Sequence, residues 1–577
     1  MSNARPARRD GTPSTEGPGS LRAPAIAIAL FALALVPRLL GIGSFLPHAV
    51  EPDSYVVRQM DTLDREGISD RTVAGWKYPH LIATVGALAP GAPALRAPAP
   101  DADVNAHLRA ASASHVRART VVATFAALAA PAAFLIALRG LALRWAALAG
   151  VLAALSLLNL TLSTQARPHA AVAGTLAVSM LASVRYAERA TLGRAVAAAL
   201  AAGAAASTLH FGASAFASLG AAWFIARRRV GRGDPRPALH ALCAVLICTS
   251  IVAWFYVRSE SGYGYEIQRK DAGSGRLWMS GHGLVSSRFD GAGWTSAARA
   301  FFGADPVTSA LAVVGLAAGG IAAVRGRIPA AGVVVTASAL PTLLVLGSFS
   351  VSYPRFYACL TAPLALLAAV GASRIARKAA WGPVAVGAAV LGACIPSLEW
   401  TRLRARPDTY EVAARHLRTF EGRDAELVVV NARGIPVASD VVDAEREWTG
   451  GPWDRYQQEH GPLHAEAFSL GYASYASLAA VLTAADVKDA ARAFVSALTA
   501  DAVLLAPNPF DLGPEAPERA GTALVELRAA LEDANWRLER SIPGQTRAGL
   551  RSANYSVDVP IVLGATRAGP TLEVWRR

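Results

Sequence analysis

The sequence predicts a mostly α-helical protein that crosses a membrane about eleven times and carries an α/β domain at its C-terminal end. Its 577 residues are 53% hydrophobic and only 17% charged, whereas a soluble domain usually has about 25% charged residues. Apolar stretches recur up to residue 397, and about 20 such residues span the hydrocarbon core of a bilayer. Beyond residue 398, helix-like and strand-like stretches alternate, which is typical of an α/β domain.

Eleven stretches are apolar and long enough to be predicted as membrane spans. They are 23–42, 119–138, 145–163, 168–184, 193–209, 211–226, 238–257, 306–324, 329–348, 356–373 and 381–397. The pair 193–209 and 211–226 is rich in alanine, which contributes little to insertion. We interpret this pair as one hairpin around His210 and leave its exact helix count open.

Arginine is concentrated in the loops on one side of the predicted bundle. The N-terminal segment carries Arg5, Arg8 and Arg9, and five further loops carry Arg139 and Arg144; Arg185, Arg189 and Arg194; Arg227, Arg228, Arg229, Arg232 and Arg236; Arg325 and Arg327; and Arg374, Arg377 and Lys378. The positive-inside rule places this side in the cytoplasm. An odd number of spans then places the C-terminal region outside the cytoplasm. The alanine-rich composition indicates a bacterial protein of the inner (plasma) membrane.

The composition argues against two other readings of the chain. The net charge of +14 would suit a nucleic-acid partner, but the basic residues lie mainly in short loops between spans, so topology explains them. The cysteines all lie in apolar spans and lack metal-ligand spacing in a polar context, so they predict neither a disulfide framework nor a metal site. They are Cys243, Cys248, Cys359 and Cys394.

The chain divides into three predicted regions. Residues 1–20 are rich in Pro, Gly, Ser and Arg and are predicted to be a disordered cytoplasmic tail. Residues 21–397 form the predicted transmembrane domain, whose outer loops 43–118 and 258–305 are too long to be simple connectors. Residues 398–577 form the predicted extracytoplasmic α/β domain. Its predicted elements are a helix near 410–420, strands at 426–430 and 502–505, helices at 474–499 and 519–534, and short strands near 536–541 and 571–575.

An acidic motif follows the first span and is the strongest candidate for chemistry. It reads His48-Ala-Val-Glu51-Pro52-Asp53-Ser54-Tyr55. Pro52 suits the first turn of a helix, and Asp53 lies where the helix dipole favours an anion. The apolar face of this helix is predicted to be Val56, Val57, Met60 and Leu63, and Asp53 lies on the same side. A simple N-capping role is the alternative, but a carboxylate on an apolar face at a membrane surface favours function.

Four further motifs and one histidine lie on the same, outer side. They are Trp76-Lys77-Tyr78-Pro79-His80, Gln165-Ala-Arg167-Pro168-His169, Gly281-His282-Gly283, Tyr353-Pro354-Arg355-Phe356-Tyr357, and His210 at the turn of the hairpin. Each has a structural alternative, because aromatic residues, lysine and arginine also serve as interfacial anchors. Anchors should be found at both interfaces, so a common side favours function. Guanidinium groups such as those of Arg167 and Arg355 are suited to binding phosphate.

The order of these motifs resembles that of the GT-C glycosyltransferases of glycosyltransferase family 39, which include protein O-mannosyltransferases and the bacterial aminoarabinose transferase. The resemblance covers roughly residues 21–400. It rests on the acidic motif, the Lys-Tyr-Pro turn, the Ala-Arg-Pro-His element, and Pro-Arg-Phe-Tyr leading into Thr361-Ala-Pro363-Leu. The chain departs from the family at Ser54, where many members have Glu, and at His80, where a second proline is common. Both departures bear on whether a metal is needed.

The resemblance implies a polyprenyl-phosphate-sugar-dependent enzyme that transfers a hexosyl or pentosyl group to a glycan or protein acceptor of the envelope, with inversion. Asp53 corresponds to the first-loop carboxylate of the family, and we assign it as general base. Lys77 and Arg355 match basic family positions, and with Arg167 they are assigned to the donor phosphate. Substrate or auxiliary roles are assigned to Tyr55, Arg58, His80, His169, His210 and His282. A divalent cation, Mg²⁺ or Mn²⁺, would be held by Glu51, Asp53 and His282.

Two other functions fit part of the pattern. A transporter or flippase for a lipid-linked or anionic substrate would also need a basic outer cavity. Transporters usually have inverted repeats and charges near the bilayer midplane, whereas this sequence shows no internal repeat and its charges cluster at one end. A non-catalytic assembly protein, with a C-terminal domain that binds a partner, is the third reading. The identity of the sugar and of the acceptor is not predicted by any of these motifs.

Overall fold

The structure is a computed structural model in which a helical bundle carries a small mixed sheet at one end. It describes residues 22–46, 55–67, 79–89, 104–231, 234–257, 277–279, 282–284, 289–350, 352–378, 380–417, 419, 426–430, 473–476, 478–507, 517–544 and 558–577. All structural statements below refer to these residues.

Sixteen α-helices precede the C-terminal unit. They are α1 (Arg22–Leu39), α2 (Tyr55–Glu66), α3 (Leu81–Leu88), α4 (Val104–Ala127), α5 (Ala129–Ala137), α6 (Leu143–Ala154), α7 (Leu157–Ser163), α8 (Pro168–Glu188), α9 (Leu192–Thr208), α10 (Ala215–Val230), α11 (Arg236–Val252), α12 (Gly293–Ala298), α13 (Pro306–Val324), α14 (Ala330–Ser348), α15 (Thr361–Lys378) and α16 (Gly382–Arg404). A short antiparallel pair, β1 (Leu277–Met279) and β2 (His282–Leu284), lies between α11 and α12.

The eleven predicted spans all coincide with helices, and the predicted fold class is confirmed. Eight helical segments in the described part are long and apolar enough to cross a membrane, and the bent pair α6–α7 gives up to nine. The remaining two spans are the alanine-rich helices α9 and α10, which have 17 and 16 residues. Within the bundle, α8 is the central helix, since 83% of its apolar window is buried. The chain is therefore a multi-pass membrane protein.

The C-terminal unit is built around a five-stranded sheet with the strand order β4-β3-β5-β7-β6. Its elements are α17 (Thr409–Leu417), β3 (Leu427–Val430), β4 (Ala473–Ala476), α18 (Ala479–Thr483), α19 (Val487–Ser496), β5 (Ala502–Leu505), α20 (Pro517–Asp533), β6 (Arg537–Ile542), α21 (Val559–Leu563) and β7 (Leu572–Arg576). Strands β3, β4 and β5 are parallel, whereas β7 is antiparallel to β5 and β6.

One predicted C-terminal element was wrong in part. The stretch 474–499 was predicted as a single helix, but its first residues form strand β4, and helices α18 and α19 follow. The sequence Ala-Ser-Tyr-Ala has little strand propensity of its own, and it is extended because Ala473–Ala476 pairs in parallel with β3. Tertiary pairing therefore overrides local preference at this position.

The two faces of the sheet are both covered, which explains why β3 and β5 are continuous apolar runs. Val428, Val430 and Leu505 pack against α19 and α20, whereas Val429 and Leu504 pack on the side of α17. Fully covered parallel strands typically lack polar alternation. The α17 side faces the bundle, so the sheet is held close to the membrane-spanning helices.

The C-terminal unit packs onto the bundle through a defined apolar cluster. Trp400 and Leu403 of α16 meet Leu157 and Leu160 of α7 and Val562 of α21 in this cluster. We call this end of the helical bundle the sheet-side end. Because α7 leads directly into residues 164–167, the cluster lies next to the start of α8.

Candidate functional site

Four of the predicted site residues converge at the sheet-side end of the bundle. The ring of His169 interacts electrostatically with Arg355, Arg167 and His210. These residues come from three different parts of the chain, separated by up to 188 positions. We call this set the Arg-His cluster. Its convergence agrees with the common side that was predicted from topology.

The start of α8 explains the position of two of these residues. Arg167 is the N-cap residue, with an extended backbone (φ −131°, ψ 142°), and Pro168 opens the helix. Proline fixes the helical φ and lacks an N–H that would otherwise be unsatisfied in the first turn. His169 follows in that turn, so both side chains lie at the helix N-terminus. They are 2% and 3% exposed, respectively, and this burial keeps the Arg167 charge away from bulk water.

His210 and Arg355 each lie in a short 3₁₀ helix that interrupts the bundle. His210 opens the 3₁₀ turn His210–Ser214 between α9 and α10. Gly212 in this turn has no room for a side chain, because an added Cβ would lie 1.9 Å from the Ala205 carbonyl oxygen. Arg355 lies in Pro354–Leu360, which runs into α15. Such turns place a side chain at the end of a membrane span rather than along its length.

Aromatic rings enclose the Arg-His cluster. The His169 ring stacks on Phe356 with a centroid distance of 5.7 Å and an interplanar angle of 9°. Phe356 in turn contacts Phe211 at 4.9 Å. The Arg355 guanidinium lies 4.5 Å from the Tyr353 ring centroid and 5.2 Å from that of Phe356. Guanidinium–ring contacts of this kind hold a cation in place without neutralising it.

The electrostatics of the cluster favour an anion. Burial lowers the pKa of His210 to about 4, because the ring lies well inside the protein although part of the residue is accessible. His210 is therefore neutral at pH 7, and the positive charge is carried by Arg167 and Arg355. Two guanidinium groups beside two imidazoles in a poorly hydrated setting are suited to a phosphate group or another developing negative charge.

A bend between α6 and α7 sets the direction of the segment that leads to Arg167. Helices α6 and α7 bend by 44° at residues 155–156, which frees backbone groups inside the bundle. Asp305 satisfies one side of the break, since its carboxylate accepts from the Leu157 N–H at 2.8 Å and from the Ser156 hydroxyl at 2.6 Å. Burial raises the pKa of Asp305 to about 6, although these hydrogen bonds act in the opposite direction.

Arg38 satisfies the other side of the same break. This fully buried side chain donates to the Ala154 carbonyl at 2.9 Å and to the Asn159 side-chain oxygen at 2.6 Å. Backbone groups that are freed in a membrane interior need such partners, because no water is available to them. Arg38 and Asp305 therefore fix the direction in which α7 leads to the Arg-His cluster.

The segment that leads into the acidic motif is anchored by three charged side chains. Arg119 donates to the carbonyl oxygens of Ile42 at 2.8 Å and Ser44 at 3.0 Å. Arg404 donates to the Gly41 carbonyl at 3.0 Å, and Asp408 accepts from the Phe45 N–H at 2.6 Å. The turn that precedes the motif is thus tied both to α4 and to the start of the C-terminal unit.

Several predicted site residues lie wholly or partly outside the described residues. Glu51, Asp53 and Lys77 fall in undescribed segments, so their roles stay predictions. Tyr55 and Arg58 lie in α2 and His282 lies in β2, but the structure describes only their backbone.

The predicted apolar face of α2 is present in the structure. Val56, Val57, Met60 and Leu63 are at most 6% exposed. This helix begins two residues after Asp53, at Tyr55, so the acidic motif directly precedes a helix packed on the bundle. The position of the Asp53 carboxylate itself is still a prediction.

His80 is the N-cap residue of α3 and contacts the segment Ala253–Val257, which follows α11. Its ring is fully buried and makes hydrogen bonds with the Thr84 hydroxyl at 3.0 Å and the Trp254 carbonyl at 3.2 Å. The backbone N–H of His80 also donates a hydrogen bond to the Phe255 carbonyl oxygen at 3.1 Å. These contacts connect the first long loop to the segment that opens the second, so they favour a positioning role for His80.

Within the described residues, no group of three His, Cys, Asp or Glu side chains could hold a metal ion. The predicted cation ligands Glu51, Asp53 and His282 have side chains outside that part of the chain. The Mg²⁺ or Mn²⁺ assignment therefore stays a prediction.

Sequence reasoning did not identify Arg38, Asp305 or Asp408. One signal was present for Arg38, since a charged residue inside an apolar span is usually conspicuous. Asp305 and Asp408 carried no such signal, because their partners lie 148 and 363 positions away. All three act on backbone groups that hold the elements of the site.

Comparisons with known proteins found likenesses only among solved structures. No family model and no curated protein matches the chain. ArnT from Cupriavidus metallidurans in the apo state is 16% identical, with a TM-score of 0.43, over 78% of this chain and 75% of that chain. The oligosaccharyltransferase AglB from Archaeoglobus fulgidus, in complex with an inhibitory peptide and a dolichol-phosphate, is 11% identical, with a TM-score of 0.47, over 88% and 72%.

A protein O-mannosyltransferase complex, Pmt1-Pmt2 from S. cerevisiae bound to its sugar donor, is also similar. It is 14% identical, with a TM-score of 0.31, over 42% of this chain and 34% of that chain. All three likenesses concern the fold. The roles assigned below rest on this chain's own residues.

Proposed function

We propose that this protein is a membrane glycosyltransferase that moves a sugar from a polyprenyl-phosphate donor to an envelope or protein acceptor, with inversion. The observation that carries the proposal is the Arg-His cluster, in which Arg167 and Arg355 from distant spans meet at one end of the bundle. Lipid phosphates lie at the headgroup level, where a cluster at the end of the spans can meet them. A buried guanidinium group beside a half-buried one is suited to that leaving group.

The proposed reaction assigns one step to each group. The acceptor O–H loses its proton to the Asp53 carboxylate as its oxygen attacks the anomeric carbon of the sugar. The bond between that carbon and the phosphate oxygen breaks, and the phosphate leaves with the electron pair. Arg167, Arg355 and Lys77 stabilise the charge that develops on the phosphate. Attack from the face opposite the leaving group inverts the anomeric configuration.

The neutral His210 and the stacked His169 have supporting roles in this proposal. His210, with its lowered pKa, is an uncharged hydrogen-bonding group for the sugar or the phosphate at pH 7. His169 is held flat against Phe356, which fixes its ring beside Arg355. If Glu51 and Asp53 hold a divalent cation, it would supply additional positive charge for the phosphate.

The test is transfer by purified full-length protein in nanodiscs, with radiolabelled sugar on undecaprenyl phosphate and on dolichol phosphate as trial donors. We expect Asp53→Asn to abolish transfer while insertion and thermal unfolding are unchanged. Asp64→Asn is the matched control, because Asp64 lies near the end of the adjacent helix and pairs with Arg117. Unchanged turnover in Asp53→Asn would remove Asp53 from the mechanism. Translocation of the labelled lipid without any transfer product would instead support the flippase alternative.

A further inference from the structure

A cationic cavity lies in the C-terminal unit, where α17, β6 and the chain after α21 meet. Its volume is about 360 Å³. It is lined by Pro407, Val412, Arg415, His416, Thr419, Arg540 and Arg567. Three guanidinium groups and one imidazole therefore face a single cavity. We call it the junction cavity.

Carboxylates oppose only part of this charge. Glu411 forms an ion pair with Arg415, and Glu539 lies 3.7 Å from the His416 Nε2 atom. Arg540 donates to His416 Nδ1 at 3.3 Å, and Arg567 donates to the Pro407 carbonyl at 3.2 Å. Neither Arg540 nor Arg567 has an acidic partner among the described residues. Within the described part of the chain, these two guanidinium groups therefore lack a neutralising carboxylate beside the cavity.

Arg540 fixes the position of the proton on the neutral His416 ring. A guanidinium group has no acceptor, so the Nδ1 atom that Arg540 contacts must accept the hydrogen bond. In the neutral ring the proton is then on Nε2, on the side of Glu539. The charged part of the cavity lining therefore consists mainly of guanidinium groups, which suit an oxygen-rich anion.

The junction cavity lies close to the membrane boundary. Pro407 follows the last residue of α16 by three positions, and Arg567 lies between Ala565 and Ala568 of the apolar cluster that joins the sheet to the bundle. A ligand with a phosphate at the level of the lipid headgroups, or a soluble phosphate ester near that level, can reach this position.

We propose that the junction cavity binds a phosphate-bearing ligand at a site separate from the Arg-His cluster. Paired guanidinium groups recognise phosphate oxygens through parallel hydrogen bonds. The cavity is much larger than a phosphate ion, so the phosphate belongs to a larger molecule. A phospholipid headgroup and a soluble phosphate ester share this chemistry. The proposal does not depend on sugar transfer and stands independently of it.

The experiment measures two probes on the full-length protein. Glycerol 3-phosphate is titrated by calorimetry into protein held in phosphatidylcholine nanodiscs. Phosphatidylglycerol retained by protein exchanged from mixed phosphatidylcholine–phosphatidylglycerol vesicles is counted by native mass spectrometry. We expect Arg540→Gln to weaken the affinity for whichever probe binds the cavity by about tenfold or more, since a charge-assisted hydrogen bond is lost. The double variant Arg540→Gln/Arg567→Gln should abolish its binding.

Two controls make the outcome decisive. Arg537→Gln changes an exposed arginine on the same strand, away from the cavity, and should leave binding unchanged. Arg325→Gln removes an exposed charge at the opposite end of the bundle and should also leave binding unchanged. An effect on glycerol 3-phosphate alone identifies a soluble ester, and an effect on phosphatidylglycerol alone identifies a lipid headgroup. Equal binding by Arg537→Gln and Arg540→Gln, loss in Arg325→Gln, or no binding of either probe overturns the proposal.

Discussion

The Arg-His cluster and the junction cavity contain the same two residue types in very different surroundings. In the Arg-His cluster, Arg167 and His169 are at most 3% exposed, Arg355 and His210 are half-buried, and the neighbouring rings are aromatic. In the junction cavity, the Arg415 side chain is 64% exposed and His416 is 14% exposed. The carboxylates of Glu411 and Glu539 accompany the second set.

This difference decides how strongly each region can act on an anion. A charge interaction is weakened by water and by salt where side chains are exposed, whereas a buried pair is screened much less. The Arg-His cluster can therefore stabilise charge that develops during a reaction. The junction cavity is suited to holding a ligand that is already charged. Residue composition alone would not have separated these two roles.

The largest expected effect is that of Arg355→Ala on the donor. Arg355 is half-buried, and losing a hydrogen-bonded guanidinium contact to phosphate there costs about 2 kcal/mol. The KM for the lipid donor should therefore rise by about 30-fold. Arg355→Lys keeps the charge and should be affected less. Arg325→Ala, which removes an exposed arginine at the opposite end of the bundle, is the control. If only the dependence on acceptor changed, the phosphate role of Arg355 would be misassigned.

The second effect tests the broken helix that leads to the Arg-His cluster. Asp305→Ala leaves the Leu157 N–H and the Ser156 hydroxyl without their buried acceptor. Each such loss costs about 1–3 kcal/mol, so thermal unfolding in detergent should occur at a clearly lower temperature. Asp234→Ala is the control, since Asp234 also accepts from a backbone N–H but at an exposed helix start. Equal destabilisation by the two variants would show that burial does not make the loss of the Asp305 acceptor more costly.

More of the fold than of the candidate site could be predicted from the sequence. Apolar runs and arginine-rich loops were sufficient for the spans, and β5 lies at the predicted 502–505 because a short buried strand is an uninterrupted apolar run. Strand β4 could not be predicted, since its conformation comes from pairing with β3. Topology predicted that Arg167 and Arg355 share one end of the bundle. It could not predict that Arg540 and Arg567 share a cavity, because that depends on packing between distant segments.

A smaller effect concerns the pH dependence of the free energy of unfolding, and it arises from the buried Asp305 carboxyl group. Burial raises the pKa of Asp305 to about 6 from 3.8 in the unfolded chain. The folded state therefore favours the protonated form, and the associated stability is present at low pH and is lost as pH rises through about 6. Lowering the pH from about 7.5 to 5.5 should add about 1 kcal/mol through this group. Thermal unfolding of wild type and Asp305→Asn over this range checks the sign, since the variant should lack this increment.

The smallest expected effect separates the two cationic regions directly. Raising the salt concentration from about 0.05 to 0.5 M shortens the Debye length from roughly 14 to 4 Å. Binding of the phosphate probe at the exposed junction cavity should then weaken about threefold or more, whereas the donor KM at the buried Arg-His cluster should change much less. The Arg540→Gln variant should lose most of the salt dependence of probe binding, and Arg537→Gln should keep it. If the donor KM were as sensitive to salt as probe binding, the lipid phosphate would be bound in a hydrated site, and the proposed contrast between the two regions would be wrong.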